Sequence, residues 1–238
     1  MSVLEVTGLT KSFGGVRALD DVSFSVEAGE KVALIGPNGA GKSTCFNLIN
    51  GQLRPDAGRI RLGGRDVTRL PPRARNALGV ARTFQVAAVF RSLTVRQNIE
   101  VALAAQPGGA TRAADALLGA VDLAAQAARP SHELPYGAAK RLELAIALAG
   151  VPRVLLLDEP TAGMAAGERS ALVALVARLA AERGLAVLFT EHSMDAVFAL
   201  ADRVIVLVRG EILAQGAPAA MRADPRVQAA YLGPVSAA

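Results

Sequence analysis

Residues 36–44 read GPNGAGKST and follow the apolar run KVALI. Gly36, Gly41, Lys42 and Ser43 satisfy G-x-x-x-x-G-K-[ST], a spacing suited to a ligand with several negative charges. Glycines let successive backbone N–H groups converge on phosphate oxygens. A helix opening here adds the positive end of its dipole. Lys42 then reaches the outer phosphates as a point charge, Ser43 offers a hydroxyl ligand to Mg²⁺, and Thr44 can donate to an inner phosphate. A plain glycine turn capped by Ser-Thr is the alternative. A position between a buried strand and a helix favours the phosphate loop.

A second constellation is VLLLDEP, residues 154–160. Asp158 ends an apolar run, where its carboxylate can hold Mg²⁺ through water. Glu159 follows at once and can polarise an attacking water as a general base. An acidic pair capping the next helix is the alternative. The only lysines are Lys11, Lys31, Lys42 and Lys140, and none sits in N-K-x-D, so guanine recognition by that motif is excluded.

These residues need elements to hold them. KVALIG, VPRVLLLDEP and GLAVLFTEH are nearly continuous apolar runs, as in strands buried on both faces. Helices are expected at 41–50, 167–183 and 193–201. Strand, helix, strand at this spacing gives an α/β fold with a parallel sheet. LEVTGLT and VSFSVE alternate apolar and polar residues, and GRIRLGGRDV has a Gly-Gly turn, so the early strands form an antiparallel sheet. VRGEILAQG predicts a hairpin before a short helical tail. Residues 92–150 are Ala- and Leu-rich with helical spacing. They predict a helical subdomain inserted into a catalytic core of 1–91 and 151–238, all within one domain of 1–238.

Composition narrows the function. With 238 residues, 52% of them hydrophobic, a sizeable core is available. No apolar run reaches the roughly 18–20 residues of a spanning helix. The N-terminus lacks a signal-peptide pattern, so a cytosolic chain is expected. One cysteine, Cys45, excludes a disulfide framework, and His132 and His192 are too few for a zinc site without carboxylate help. Aromatics at 4% with no Trp suit nucleic-acid stacking poorly, although the net charge is +5.

Taken in order, the motifs resemble the nucleotide-binding subunits of ABC transporters over nearly the whole length. LPYGAAKRLELAIALA (134–149) resembles the signature motif and its helix, and Gln85 in TFQ the glutamine loop. TAGMA (161–165) stands at the D-loop, His192 in TEHSMDAV at the switch histidine, and Phe13 at the aromatic that stacks on adenine, with Val16 nearby. The resemblance implies the P-loop NTPase fold of ABC ATPases, with ATP and Mg²⁺ as cofactors. It implies that Asn38, Gly39, Ala40, Gly41, Lys42, Ser43 and Thr44 wrap the phosphates. Ser43, Gln85 and Asp158 would serve the metal, and Glu159, His192 and Gln85 the hydrolysis. Two such domains close head to tail, so Pro135, Tyr136 and Gly137 would face the partner's nucleotide. Tyr136 either contacts that nucleotide or simply packs.

Two departures stand out. Pro135 replaces the usual serine and has neither hydroxyl nor N–H, and Ala165 replaces the usual Asp or Asn of the D-loop. They imply slow basal hydrolysis, or asymmetry between two different ATPase chains. ARTFQ, the Leu-Pro-Tyr-Gly signature and RADPRVQAAYLG resemble importers of branched-chain amino acids and related solutes. That resemblance implies an ATP-hydrolysing subunit peripheral to the cytoplasmic side of the inner membrane. Its partners would be a second copy or a second ABC ATPase, transmembrane permease subunits and, indirectly, a periplasmic binding protein, with no nucleic acid. A lipid or lipopolysaccharide exporter ATPase is the alternative within transport. A soluble ABC ATPase of DNA repair or ribosomes is disfavoured by a single cassette without a heptad run. A nucleotide-binding module without turnover is disfavoured by Glu159.

Overall fold

The computed structural model describes residues 2–83, 88–105 and 113–232. The chain starts with β1 (Ser2–Phe13), β2 (Val16–Glu27) and β3 (Lys31–Ile35), followed by α1 (Lys42–Asn50). Then come β4 (Ala57–Leu62), β5 (Arg65–Asp66), α2 (Pro72–Ala77) and β6 (Val80–Thr83). The helical stretch holds α3 (Val95–Ala104), α4 (Ala113–Ala120) and α5 (Tyr136–Leu148). It is followed by β7 (Val154–Asp158), α6 (Ala166–Arg183), β8 (Ala186–Thr190) and α7 (Met194–Leu200). The chain continues through β9 (Arg203–Val208), β10 (Glu211–Gly216), α8 (Pro218–Ala223) and α9 (Pro225–Leu232).

Two sheets form. The antiparallel one runs β2-β1-β4-β5, and the other β10-β9-β3-β8-β7-β6. In the second sheet every neighbouring pair is parallel except β9 with β10. Strand alternation explains the layers. Ala33, Ile35, Leu155, Leu157, Val187 and Phe189 face the core shared with α3 to α7. Their neighbours Val32, Leu34, Val154, Leu156, Ala186 and Leu188 face a second core with β1, β2, β4 and α1. The central strands are apolar throughout because both faces are covered.

Two elements are not expected from the sequence. Strand β6 is four residues long and α2 six, and they lead into the helical stretch. Strand β6 pairs in parallel with β7, so the helical stretch is a long crossover between adjacent strands. Among its described residues there are helices, two short 3-10 turns and a single isolated bridge, Thr94 with Pro130. Helix α3 starts with a capping box in which Thr94 accepts from Gln97 N–H and the Gln97 side chain accepts from Thr94 N–H.

Arg75 from α2 is 1% exposed and ties the phosphate-loop helix into the fold. Its guanidinium donates to the carbonyls of Leu48 (2.5 Å), Ile49 (2.7 Å), Thr68 (2.9 Å) and Leu70 (2.9 Å). Burial pulls it down to about 10, so it stays charged at neutral pH. It therefore places a cation against the carbonyl end of α1, where the helix dipole favours one. Arg75→Ala is expected to cost about 3 kcal/mol, because buried acceptors lose a charged donor. Urea unfolding checks this, and a loss below about 1 kcal/mol would contradict it.

Candidate functional site

Parallel strands deliver their carboxyl ends to one edge of the sheet, where α/β folds bind ligands. Strand β3 opens into residues 36–41, β7 ends at Asp158, and β8 ends at Thr190 in register with it. Asn38 to Thr44, Ala18 and Glu159 line a cleft of about 210 Å³. A larger hollow, about 550 Å³ beside Phe198 and Met221, is mostly apolar and holds none of the predicted residues.

Two glycines are needed for close approach rather than for turning alone. A Cβ on Gly36 would stand 2.0 Å from the Leu207 carbonyl oxygen of β9. One on Gly41 would stand 2.4 Å from the Ala18 carbonyl oxygen of β2, and Gly41 also holds φ at +106°. Gly41 is the N-cap of α1 and offers no side-chain acceptor, and the first turn carries no acid. The leading N–H groups are thus left for an external anion. Lys42 is 8% exposed and folds back over the loop, donating to the carbonyls of Gly36 (2.6 Å) and Pro37 (3.1 Å). Burial lowers its pKa, while the charges of Glu159 and Asp158 pull it upward.

Opposite the loop, Asp158 is held by both oxygens. Arg82 donates to Oδ2 at 2.8 Å, and the Thr190 hydroxyl donates to Oδ1 at 2.9 Å. Arg82 also donates to Asn47 (2.6 Å) and Gln52 (2.9 Å), which joins the acid to α1 and fits a structural role. Ser43 is exposed, and its hydroxyl makes no hydrogen bond among the described residues. A hydroxyl and a carboxylate are hard oxygen donors, and the pair fits Mg²⁺ that takes its remaining ligands from phosphate and water. Glu159 has φ +48°, a left-handed conformation costly for a residue with a Cβ. Its N–H donates to Thr190 Oγ1 at 3.0 Å, and its Oε1 lies 2.9 Å from His192 Nε2. Base candidate and switch histidine are thus brought together directly.

A family model described as "ABC transporter" matches residues 19–162, which contain both the loop and Asp158–Glu159. The chain belongs to the ABC transporter family. A second model, "Branched-chain amino acid ATP-binding cassette transporter", matches residues 211–233 of this ABC subunit. The chain is 39% identical to BraF, a high-affinity branched-chain amino acid transport ATP-binding protein of Pseudomonas aeruginosa, over 97% of this chain and 98% of BraF. LivG of Salmonella typhimurium, similarly named, is 37% identical with the same coverage. Among solved structures, the ADP conformation of MJ1267, an ATP-binding cassette of an ABC transporter, superposes with TM-score 0.90 at 32% identity, covering 98% of this chain and 99% of that one.

The remaining predicted residues that the structure describes do not line the cleft in this ABC subunit. Phe13 and Val16 pair across the tip of the first hairpin, 46% and 71% exposed, and neither lines the cleft. Lys11 sits 5.4 Å from the Phe13 ring centre. Pro135 is the N-cap of α5, with no side-chain cap bond, and Tyr136 begins the helix. Tyr136 is 42% exposed, so its ring is not fully packed away. Pro135, Tyr136 and Gly137 do not line the cleft of their own chain. Gln85 lies outside the described residues. Arg82, beside the glutamine loop, reads from the sequence as structural, and its bonds to Asn47, Gln52 and Asp158 fit that; missed from the sequence were Thr190 and Glu191, which hold Asp158, Glu159 and Thr161. No helix among the described residues is long and apolar enough to cross a membrane.

Proposed function

We propose that this subunit binds ATP with Mg²⁺ in the cleft, hydrolyses it, and uses the cycle to energise import of branched-chain amino acids or related solutes. The convergence of Lys42 with Asp158 and Glu159 at one sheet edge carries this reading. Asn38 to Thr44 wrap the phosphates, and Lys42 exchanges the Gly36 and Pro37 carbonyls for outer phosphate oxygens. Ser43, Asp158 and Gln85 would hold Mg²⁺, which would supply neutralisation of the phosphate charge. Glu159 accepts a proton from water as the water oxygen bonds to the γ-phosphorus. The bond from that phosphorus to the bridging oxygen breaks, and ADP leaves with the oxygen. His192 places the water and the γ-phosphate. Phe13 and Val16 form a platform for the adenine.

Pro135, Tyr136 and Gly137 do not line the cleft of their own chain, which supports a head-to-tail pair in which each chain completes the other's site. The pair is two copies or this chain with a second ABC ATPase. Residues 1–91 and 151–238 act as the catalytic core, and 92–150 as the helical part that receives permease subunits at the cytoplasmic face of the membrane. A periplasmic binding protein joins only through them, and nucleic acid is not a partner. Cargo rests on the likeness to BraF and LivG and on the match at 211–233. Affinity purification of the tagged chain from detergent-solubilised native membranes tests this. Two hydrophobic permease chains and a second ATPase are expected in near-equal amounts. Recovery of the chain alone, or with nucleic acid, would contradict the transport assignment.

A further inference from the structure

The run Thr190–Ser193 is stitched residue by residue onto the segment after β7. Thr190 Oγ1 holds Asp158 and Glu159, and His192 meets Glu159. Ser193 Oγ accepts from Arg169 at 3.0 Å, and Arg169 also donates to the Met164 carbonyl at 3.3 Å. Between them, Glu191 Oε1 accepts the Thr161 N–H at 2.9 Å. Glu191 is 5% exposed and Thr161 3%. Glu191 makes no ion pair among the described residues, so its burial is costly and needs a reason.

We propose that Glu191 is a positioning residue: its buried carboxylate clamps the Thr161 N–H and so sets the backbone from which Glu159 reaches the reacting water. The inference rests on Glu159 acting as the base. Pro160 alone separates Glu159 from Thr161, and its ring fixes one backbone torsion between them. The Thr161 carbonyl accepts from Met164 N–H at 3.2 Å, and the Glu159 carbonyl from Ala162 N–H at 3.1 Å. A displaced Thr161 therefore carries Glu159 with it. The far end of the segment has no cap of its own, because Ala165 starts α6 without a side-chain bond. Glu191 and Arg169 supply the side-chain ties that Ala165 cannot. No part of Glu191 lines the cleft, so its effect reaches the nucleotide through backbone.

Glu191→Leu and Glu191→Gln separate this role from mere packing. Leucine fills the space without an acceptor, while glutamine keeps an oxygen for Thr161. Glu191→Leu is expected to stay folded with a lowered Tm, because the buried Thr161 N–H loses its acceptor. Its kcat is expected to fall about ten- to a hundredfold, with KM within about twofold, as misplacement of a catalytic group does. Glu191→Gln should keep at least about half of the wild-type kcat through the retained acceptor. Wild-type turnover in Glu191→Leu would overturn the proposal. So would a Glu191→Gln variant as slow as the leucine one, a loss that appears as a raised KM with kcat unchanged, or an unfolded fraction at the assay temperature large enough to account for it. Glu159→Gln is measured in parallel: full turnover there would sink the base assignment itself, a different failure.

Discussion

Glu159→Gln is expected to lower ATP turnover about a thousandfold while nucleotide affinity stays within about twofold, the size of effect general-base catalysis supplies. Glutamine has the same shape and keeps an oxygen for His192, which stands 2.9 Å from Glu159 Oε1. It keeps the N–H held by Thr190 at 3.0 Å. What it loses is the capacity to take a proton. The cleft lining is otherwise unchanged, so ATP should still bind and close the pair. Single-turnover phosphate release and equilibrium binding of a fluorescent ATP analogue separate the two effects. Turnover within about fivefold of wild type would mean that another group takes the proton.

Lys42→Ala acts on the opposite wall. Lys42 is the one cation among the described residues lining the cleft. Its ammonium is already desolvated and bonded to two loop carbonyls, so little ordering remains when phosphate replaces them. Removing charge-assisted bonds worth about 1.5–3 kcal/mol is expected to weaken ATP about ten- to a hundredfold. AMP, lacking the outer phosphates, should be affected much less. Titration of both nucleotides against wild type and variant checks this. Equal weakening of the two would place Lys42 away from the outer phosphates.

Sequence alone reached much of this because the central strands are unambiguous. KVALI, VLLLD and AVLFT are buried on both faces and leave no polar alternation to misread. The loop was legible because its spacing matches a phosphate cradle. Strand β6, VART, was not legible: four residues with an arginine resemble loop as much as strand. Helix α2, PRARNA, looks like a polar connection, although Arg75 is buried. Nothing in a sequence separates that arginine from the exposed Arg73 two residues before it, because the Leu48 and Ile49 carbonyls that draw it inward belong to a different helix. Glu191 was hidden in the same way, because its partner, the Thr161 N–H, comes beside it only through the register of β7 and β8. The need for glycine at 36 and 41 was legible, but its physical cause, carbonyls of β9 and β2, is tertiary. Phe13 and Val16 were assigned by resemblance alone, and the structure shows both exposed at a hairpin tip.

The most direct measurement is steady-state phosphate release from MgATP by the purified wild-type chain, with Lys42→Ala and Glu159→Gln alongside. Saturable release by the wild type that disappears in both variants is expected if the triphosphate is gripped between residues 36–44 and the Asp158–Glu159 pair. Release by Lys42→Ala at the wild-type rate, with unchanged saturation, would contradict that placement of the nucleotide.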